Sequence, residues 1–133
     1  MMLKVTSDKQ KAFALKKMAD VTLQRLETTN LAKYPSNTLT DYYDILHKIM
    51  EAITVSQGVK FKGEGAHQEL IDWICKNHQL SEQTRQFLQQ MRDYRNRIAY
   101  EGFTISENYI TLNQKTIREL ITTFFKKLAG LLN

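Results

Sequence analysis

The stretch Phe87-Leu88-Gln89-Gln90-Met91-Arg92-Asp93-Tyr94-Arg95-Asn96-Arg97-Ile98-Ala99-Tyr100-Glu101-Gly102 decides how this chain folds. Phe87, Met91, Tyr94 and Ile98 recur at intervals of four, three and four, which is the period of a helix with one buried stripe. Ser81 stands where an N-cap belongs, Glu82 suits the positive end of a helix, and Gly102 ends the run. The segment is therefore predicted to be helical from about Glu82 to Glu101.

Downstream, Phe103-Thr104-Ile105 and Tyr109-Ile110-Thr111-Leu112 flank Ser106-Glu107-Asn108. Their alternation and β-branched residues predict a short β-hairpin or an extended excursion. The last helix then starts near Asn113, with Ile117, Leu120, Ile121, Phe124, Leu128 and Leu131 on its core face. Upstream, a helix over Ala66 to Asn77 offers Leu70, Ile71, Trp73 and Ile74 to the interior. Before it, Gly58 to Gly65 reads as a mobile connector able to clamp a partner. Its glycines do not have the spacing of a P-loop or of G-x-G-x-x-G.

A second helix is expected from about Leu39 to Gln57, after a break at Tyr34-Pro35-Ser36-Asn37. Tyr42, Ile45, Leu46, Ile49, Ala52 and Ile53 form its stripe, and Gly58 is placed at C′ to stop it. His47, at the edge of that stripe, reads as structural. The first helix runs from about Asp8 to Thr28, with Ser7 and Gln10 as a capping box. Leu15, Met18, Ala19 and Leu26 face inward, while Lys9, Lys11, Lys16 and Lys17 form a solvated basic face. One Pro and five Gly in 133 residues leave room for such long helices. The expected fold is all-α: a single domain over residues 1–133, an up-and-down bundle of four or five helices, with a short hairpin before the last.

Composition agrees. A hydrophobic fraction of 42% and a charged fraction of 25% belong to a globular chain, long enough to bury a core without metal or disulfide staples. Cys75 is the only cysteine and reads as a small core hydrophobe, so neither a disulfide nor a zinc site is expected. A lone cysteine, no signal-peptide pattern and no apolar run of membrane length point to a cytoplasmic protein. No metal or cofactor is implied. The formal charge of +5 permits contact with nucleic acid or nucleotides without requiring it.

Chemistry concentrates in residues 92–100. Arg92, Asn96 and Tyr100 share a ridge at helical spacing, while Arg95 lies at the edge of the buried stripe, beside Leu88, Met91 and Ala99. An arginine so placed needs a partner or an anion. Arg97 has Asp93 and Glu101 four residues away on either side, so surface pairing is its expected role. Arg92, Arg95, Asn96 and Tyr100 remain as ligand-binding candidates. The competing reading is an internal network or a dimer contact.

Arg95-Asn96-Arg97-Ile98-Ala99-Tyr100 resembles the signature of HEPN domains, an Arg-Asn followed after a short gap by His. The surroundings are similar too: a tyrosine-bearing second helix with Tyr42-Tyr43-Asp44-Ile45-Leu46, a Gly-rich connector, a short helix carrying His67 and Leu70, and the motif helix before a final amphipathic one. The resemblance implies a homodimer with Arg95, Asn96 and Tyr100 of both subunits around one polar cleft, holding RNA or a nucleotide phosphate. It also implies a minimal nucleotidyltransferase partner, in a toxin–antitoxin pair or a two-part transferase. Tyr100 stands where the family's ribonucleases carry His, and an unperturbed tyrosine, with pKa near ~10, is a poor proton shuttle at neutral pH.

Two rivals follow. One is an active metal-independent endoribonuclease with Arg95, Asn96 and Tyr100 as catalytic residues. The other is a structural interaction bundle. Arg95 discriminates the latter: full pairing with carboxylates favours structure, an open position favours a ligand. Met50, Met91, Tyr42, Tyr43 and Trp73 also suggest more apolar surface than one core absorbs, which favours the dimer.

Overall fold

The computed structural model describes residues 1–133. Its elements in order are β1 (Met2–Lys4), α1 (Lys9–Glu27), a single 3-10 turn (Leu31–Lys33), α2 (Pro35–Ser56), β2 (Val59–Phe61), α3 (Ala66–Asn77), α4 (Glu82–Glu101) and α5 (Glu107–Leu132). The chain is an all-α bundle of five helices with a small two-stranded ribbon. No helix is long and apolar enough to cross a membrane.

Helix α2 is the hub and packs against α1, α3, α4 and α5. Its apolar residues run over more than one face, so Leu39, Tyr42, Tyr43, Ile45, Leu46, Ile49, Met50 and Ile53 are all buried. A helix apolar nearly all round can only sit inside. Ala12, Ala19 and Leu26 of α1 close one side; Ile110, Ile117, Ile121, Phe124 and Leu128 of α5 close another. Full burial of each large side chain contributes about 1.5–3 kcal/mol.

Several boundaries differ from expectation, each for a local reason. The predicted hairpin is absent: residues 102–106 form a loop, and Tyr109-Ile110-Thr111-Leu112 already belong to α5. Ser106 Oγ accepts from the Tyr109 N–H at 3.4 Å, and Ile110 falls on the same buried stripe as Ile117. Burial and a cap thus override the strand preference of Ile and Thr. The N-cap of α1 is Asp8, whose carboxylate accepts from Lys11 N at 2.9 Å; Ser7 instead donates to the Ser56 carbonyl. Pro35 opens α2 a turn before Leu39, since a proline fits the first helical position. Met18 is 53% exposed, with Phe13 and Val21 also outside, so α1 turns Ala12 rather than Met18 to the core.

Part of the connector after α2 is ordered. Val59–Phe61 pairs antiparallel with Met2–Lys4, in the register Met2 to Phe61 and Lys4 to Val59. Gly58 makes this possible. Its φ of +77° is left-handed, and a Cβ there would stand 2.8 Å from the Val5 carbonyl oxygen. Helices α3 and α4 match the sequence reading, including the Ser81 cap and Gly102 in the left-handed region at φ +68°. Met50, Met91, Tyr42 and Tyr43 lie wholly within this core, so they present no surplus surface to a second subunit.

Candidate functional site

Helix α4 carries Arg92, Arg95, Asn96, Arg97 and Tyr100 on a frame fixed by its neighbours. Leu88 and Met91 are buried against the core, and Tyr94 packs on Phe103 and Tyr109 at 5.4 and 5.5 Å between ring centroids. This anchoring leaves Arg92, Arg95 and Asn96 half-buried on the side facing α2 and α3.

Four of the six arginines pair with a carboxylate: Arg25 with Asp41, Arg85 with Asp72 and Glu82, Arg97 with Glu101, and Arg118 with Glu27. Arg92 and Arg95 do not. Arg92 donates from Nε to Gln89 Oε1 at 2.8 Å, and Gln89 in turn donates to the Gln68 carbonyl and to Asp72, which ties α4 to α3. Arg95 donates from Nη1 to Asn96 Oδ1 over 3.4 Å, a neutral acceptor at long range. It also lines a groove of about 290 Å³ with Ser36, Asn37, Thr40 and Asp41 of α2; Asp41 is already engaged by Arg25 at 2.9 Å. Arg97 behaves as its spacing predicts toward Glu101, at 3.3 Å, and lies 4.2 Å over the Phe103 ring; Asp93 forms no ion pair with it.

Tyr100 is not part of this group. It lies in the last turn of α4, 80% exposed and without a hydrogen bond. Five residues after Arg95, it is turned about 140° around the helix and displaced about 7.5 Å along it. The structure therefore brings Arg92, Arg95 and Asn96 together and leaves Tyr100 apart from them within one subunit.

Three side chains from other elements join the arginines. Tyr43 of α2 is 1% exposed, and its hydroxyl has no hydrogen-bond partner. Burial pushes its pKa upward, against the opposing charges of Arg92 and Arg95 nearby. His47 of α2 and His67 of α3 stack at 4.1 Å between centroids, with Tyr43 6.0 and 6.4 Å from them. Burial, then the neighbouring His47 and Arg95, push the His67 pKa down to about 4, so this imidazole is neutral at physiological pH. His47 Nδ1 lies 2.8 Å from Glu51 Oε1. A carboxylate can only accept, so Nδ1 carries the proton in this pair. Burial opposes ionisation of Glu51, yet the hydrogen bond and charge of His47, with Lys48 and Lys11, hold its carboxyl below the usual range.

The site is thus two unpaired guanidinium groups, an orphaned hydroxyl, a neutral imidazole and a carboxylate-oriented imidazole. The arginines can take a phosphate in fork geometry. An imidazole oriented by a carboxylate has the build of a general base. No cluster of three or more His, Cys, Asp or Glu side chains has the geometry to hold a metal ion. Cys75 is buried, and burial followed by Asp72 pushes its thiol up to about 11. The sequence did not reveal the His47–His67 contact. Its one local signal was the His47-to-Glu51 spacing of four, which places the pair on one helical ridge.

Comparison of the chain with protein-family models, with curated proteins and with solved structures gives no match.

Proposed function

We propose that the protein is a HEPN-like module that binds RNA or a nucleotide through its phosphate, with Arg92, Arg95 and Asn96 as the primary contacts. The observation that carries this reading is the state of Arg92 and Arg95: half-buried, adjacent, and without a carboxylate within 4 Å, while every other arginine has one. An uncompensated pair of cations at that depth is costly to hold, and a phosphate relieves it. The Tyr43 hydroxyl, buried and without a partner, lies within electrostatic reach of both guanidinium groups.

By its resemblance the module works as a homodimer, and Tyr100, remote from Arg95 in its own subunit, reaches a shared cleft from the partner. A minimal nucleotidyltransferase is the proposed protein partner. The test is equilibrium binding of nucleotides and of a short single-stranded RNA, together with light scattering at micromolar concentration. Twice the chain mass and micromolar or tighter binding, weakened in Arg95→Ala, are expected. Binding unaffected by that substitution would place the site elsewhere, and a monomer throughout would remove the shared cleft.

The endoribonuclease reading has one observation in its favour, the His47–Glu51 pair. Metal-free RNA cleavage lost in His47→Gln would establish it.

A further inference from the structure

A cavity of about 180 Å³, lined in part by both histidines, opens between α1, α2, β2 and the start of α3. Its polar lining is Lys11, Lys60, His47, His67, Glu51 and Thr54. Neither Lys11 nor Lys60 has a carboxylate within ion-pair distance, and Glu51 is committed to His47 at 2.8 Å. Leaving the imidazoles aside, the lining carries two positive charges and one negative. Phe61 and Leu70 form part of the wall and lower the local dielectric, which strengthens those charges. The first turn of α3, with Ala66 and His67 in the lining, adds the positive end of its dipole.

Size narrows the ligand. At about 30 Å³ per water, the volume holds about six waters, well below the usual range for a whole small-molecule ligand. A strand passing through needs an entry and an exit; an end group needs only one. Among end groups, a phosphomonoester carries about −1.5 to −2 charges at neutral pH and offers several acceptor oxygens. That matches two lysines and the N–H of His67.

We propose that this cavity is a subsite for a terminal phosphomonoester, held by Lys11 and Lys60 and hydrogen-bonded by the N–H of His67, against which His47 packs. The rest of the ligand lies across the adjoining face of Arg92 and Arg95. The proposal rests on the phosphate-binding reading of that face, but its own residues are different ones. Two sources share the chemistry: a free nucleoside monophosphate and an RNA with a 5′-phosphate. His67 joins the two regions, because it lines the cavity and lies within electrostatic reach of both arginines. The groups facing it are Tyr43, His47 and Glu51 from α2 and Arg92 and Arg95 from α4. A dianion seated beside it favours its protonated form, so binding should draw in a proton.

The experiment compares AMP with adenosine, and one short RNA with and without a 5′-phosphate, on the wild type and on a Lys11→Gln/Lys60→Gln variant whose melting is checked first. His47 and His67 ring resonances are followed by NMR. AMP, but not adenosine, should shift both rings and raise the His67 titration midpoint. The 5′-phosphate should tighten RNA binding about tenfold, equivalent to about 1.4 kcal/mol. The double variant should lose both effects yet still bind 5′-hydroxyl RNA through Arg92 and Arg95. Ring shifts with AMP alone would assign the site to a free nucleotide; a 5′-phosphate preference alone would assign it to an RNA end. Equal binding of both RNAs with no response to AMP, or an effect that survives in the double variant, overturns the cavity proposal and leaves the arginine face standing. Absence of binding by every ligand overturns both.

Discussion

The imidazole rings of His47 and His67 lie 4.1 Å apart at 34°, joining the middle of α2 to the first turn of α3. Two imidazolium ions cannot share that space cheaply, and burial with Arg95 adds to the cost, so His67 stays neutral down to about pH 4.

This neutrality sets a stability window. An unfolded chain protonates His67 near its ordinary value of 6.5, while the folded chain resists until about 4. Between those values the unfolded state binds more protons, so stability falls as pH drops from about 6.5 to about 4. Because His67 is only half-buried, the loss after solvent screening is on the order of 1 kcal/mol. Urea denaturation at intervals across the window should show it, and His67→Gln should flatten the curve there. A wild-type curve level between pH 6.5 and 4 would mean the ring is not held neutral. Glu51 acts in the same direction at lower pH, since its depressed pKa contributes stability that is lost as the carboxylate protonates.

Arg92→Ala and Arg95→Ala should separate binding from folding. Neither side chain has an ion pair to lose, and removing an uncompensated cation offsets the lost Arg92–Gln89 hydrogen bond, so neither variant should be destabilised by more than about 1 kcal/mol. Each should weaken RNA or nucleotide binding by about 1–3 kcal/mol, the range for a lost hydrogen bond to a charged group. For single-stranded RNA, each should also reduce the slope of log affinity against log salt by about 0.7. An unchanged slope means these side chains do not meet phosphate.

Tyr43→Phe probes the orphaned hydroxyl. Removing a buried donor that has no partner should leave stability unchanged or raise it slightly. If the hydroxyl meets the ligand, affinity should fall by about 1 kcal/mol in the same variant. A large loss of stability would instead reveal a bonded hydroxyl, contrary to the structure.

Tyr100 tests the enzyme question. Exposed and turned away from Arg95, it cannot act with that arginine in one subunit. Wild type should therefore cleave RNA little or not at all in the presence of a chelator. Tyr100→His should raise cleavage only where dimers form, and Arg95→Ala should cancel the gain. Strong wild-type cleavage lost in Tyr100→Phe would make this tyrosine catalytic.

The glycines give a paired test of backbone geometry. Gly58 and Gly102 both have left-handed φ, +77° and +68°. A Cβ on Gly102 meets nothing within 4 Å, whereas one on Gly58 comes within 2.8 Å of the Val5 carbonyl oxygen. Gly102→Ala should cost about 1 kcal/mol, from conformation alone. Gly58→Ala should cost clearly more, because backbone must also move. Equal thermal shifts would show that the approach of Val5 is not firm.

Which features the sequence disclosed follows from the range of the interactions. Helices α3 and α4 were readable to the residue because Ser81, Gly102 and the four-three-four stripe act within a few positions. Arg95 was recognisable as an edge residue for the same reason. The ribbon was invisible, since strands of three residues carry no periodicity and Met2 meets Phe61 only once α1 and α2 are folded. The supposed hairpin failed because Ile110 reads equally as strand or as buried helix until Ile117 and Ile121 are seen beside it. His47 looked structural in isolation; only the approach of α3 gives it His67 as a neighbour.

The ribbon also sets how firmly part of the site is held. Strands of three residues carry few hydrogen bonds, which puts the ribbon at the fast-exchanging end of the native-state opening ladder, far below α2. Yet β2 supplies Val59, Lys60 and Phe61 to one wall of the cavity. Detachment of Met2–Lys4 would therefore loosen that wall, and an occupant that braces Lys60 should slow amide exchange at Leu3, its partner in the register. The amino-terminal strand, which touches no ligand itself, becomes a reporter of occupancy.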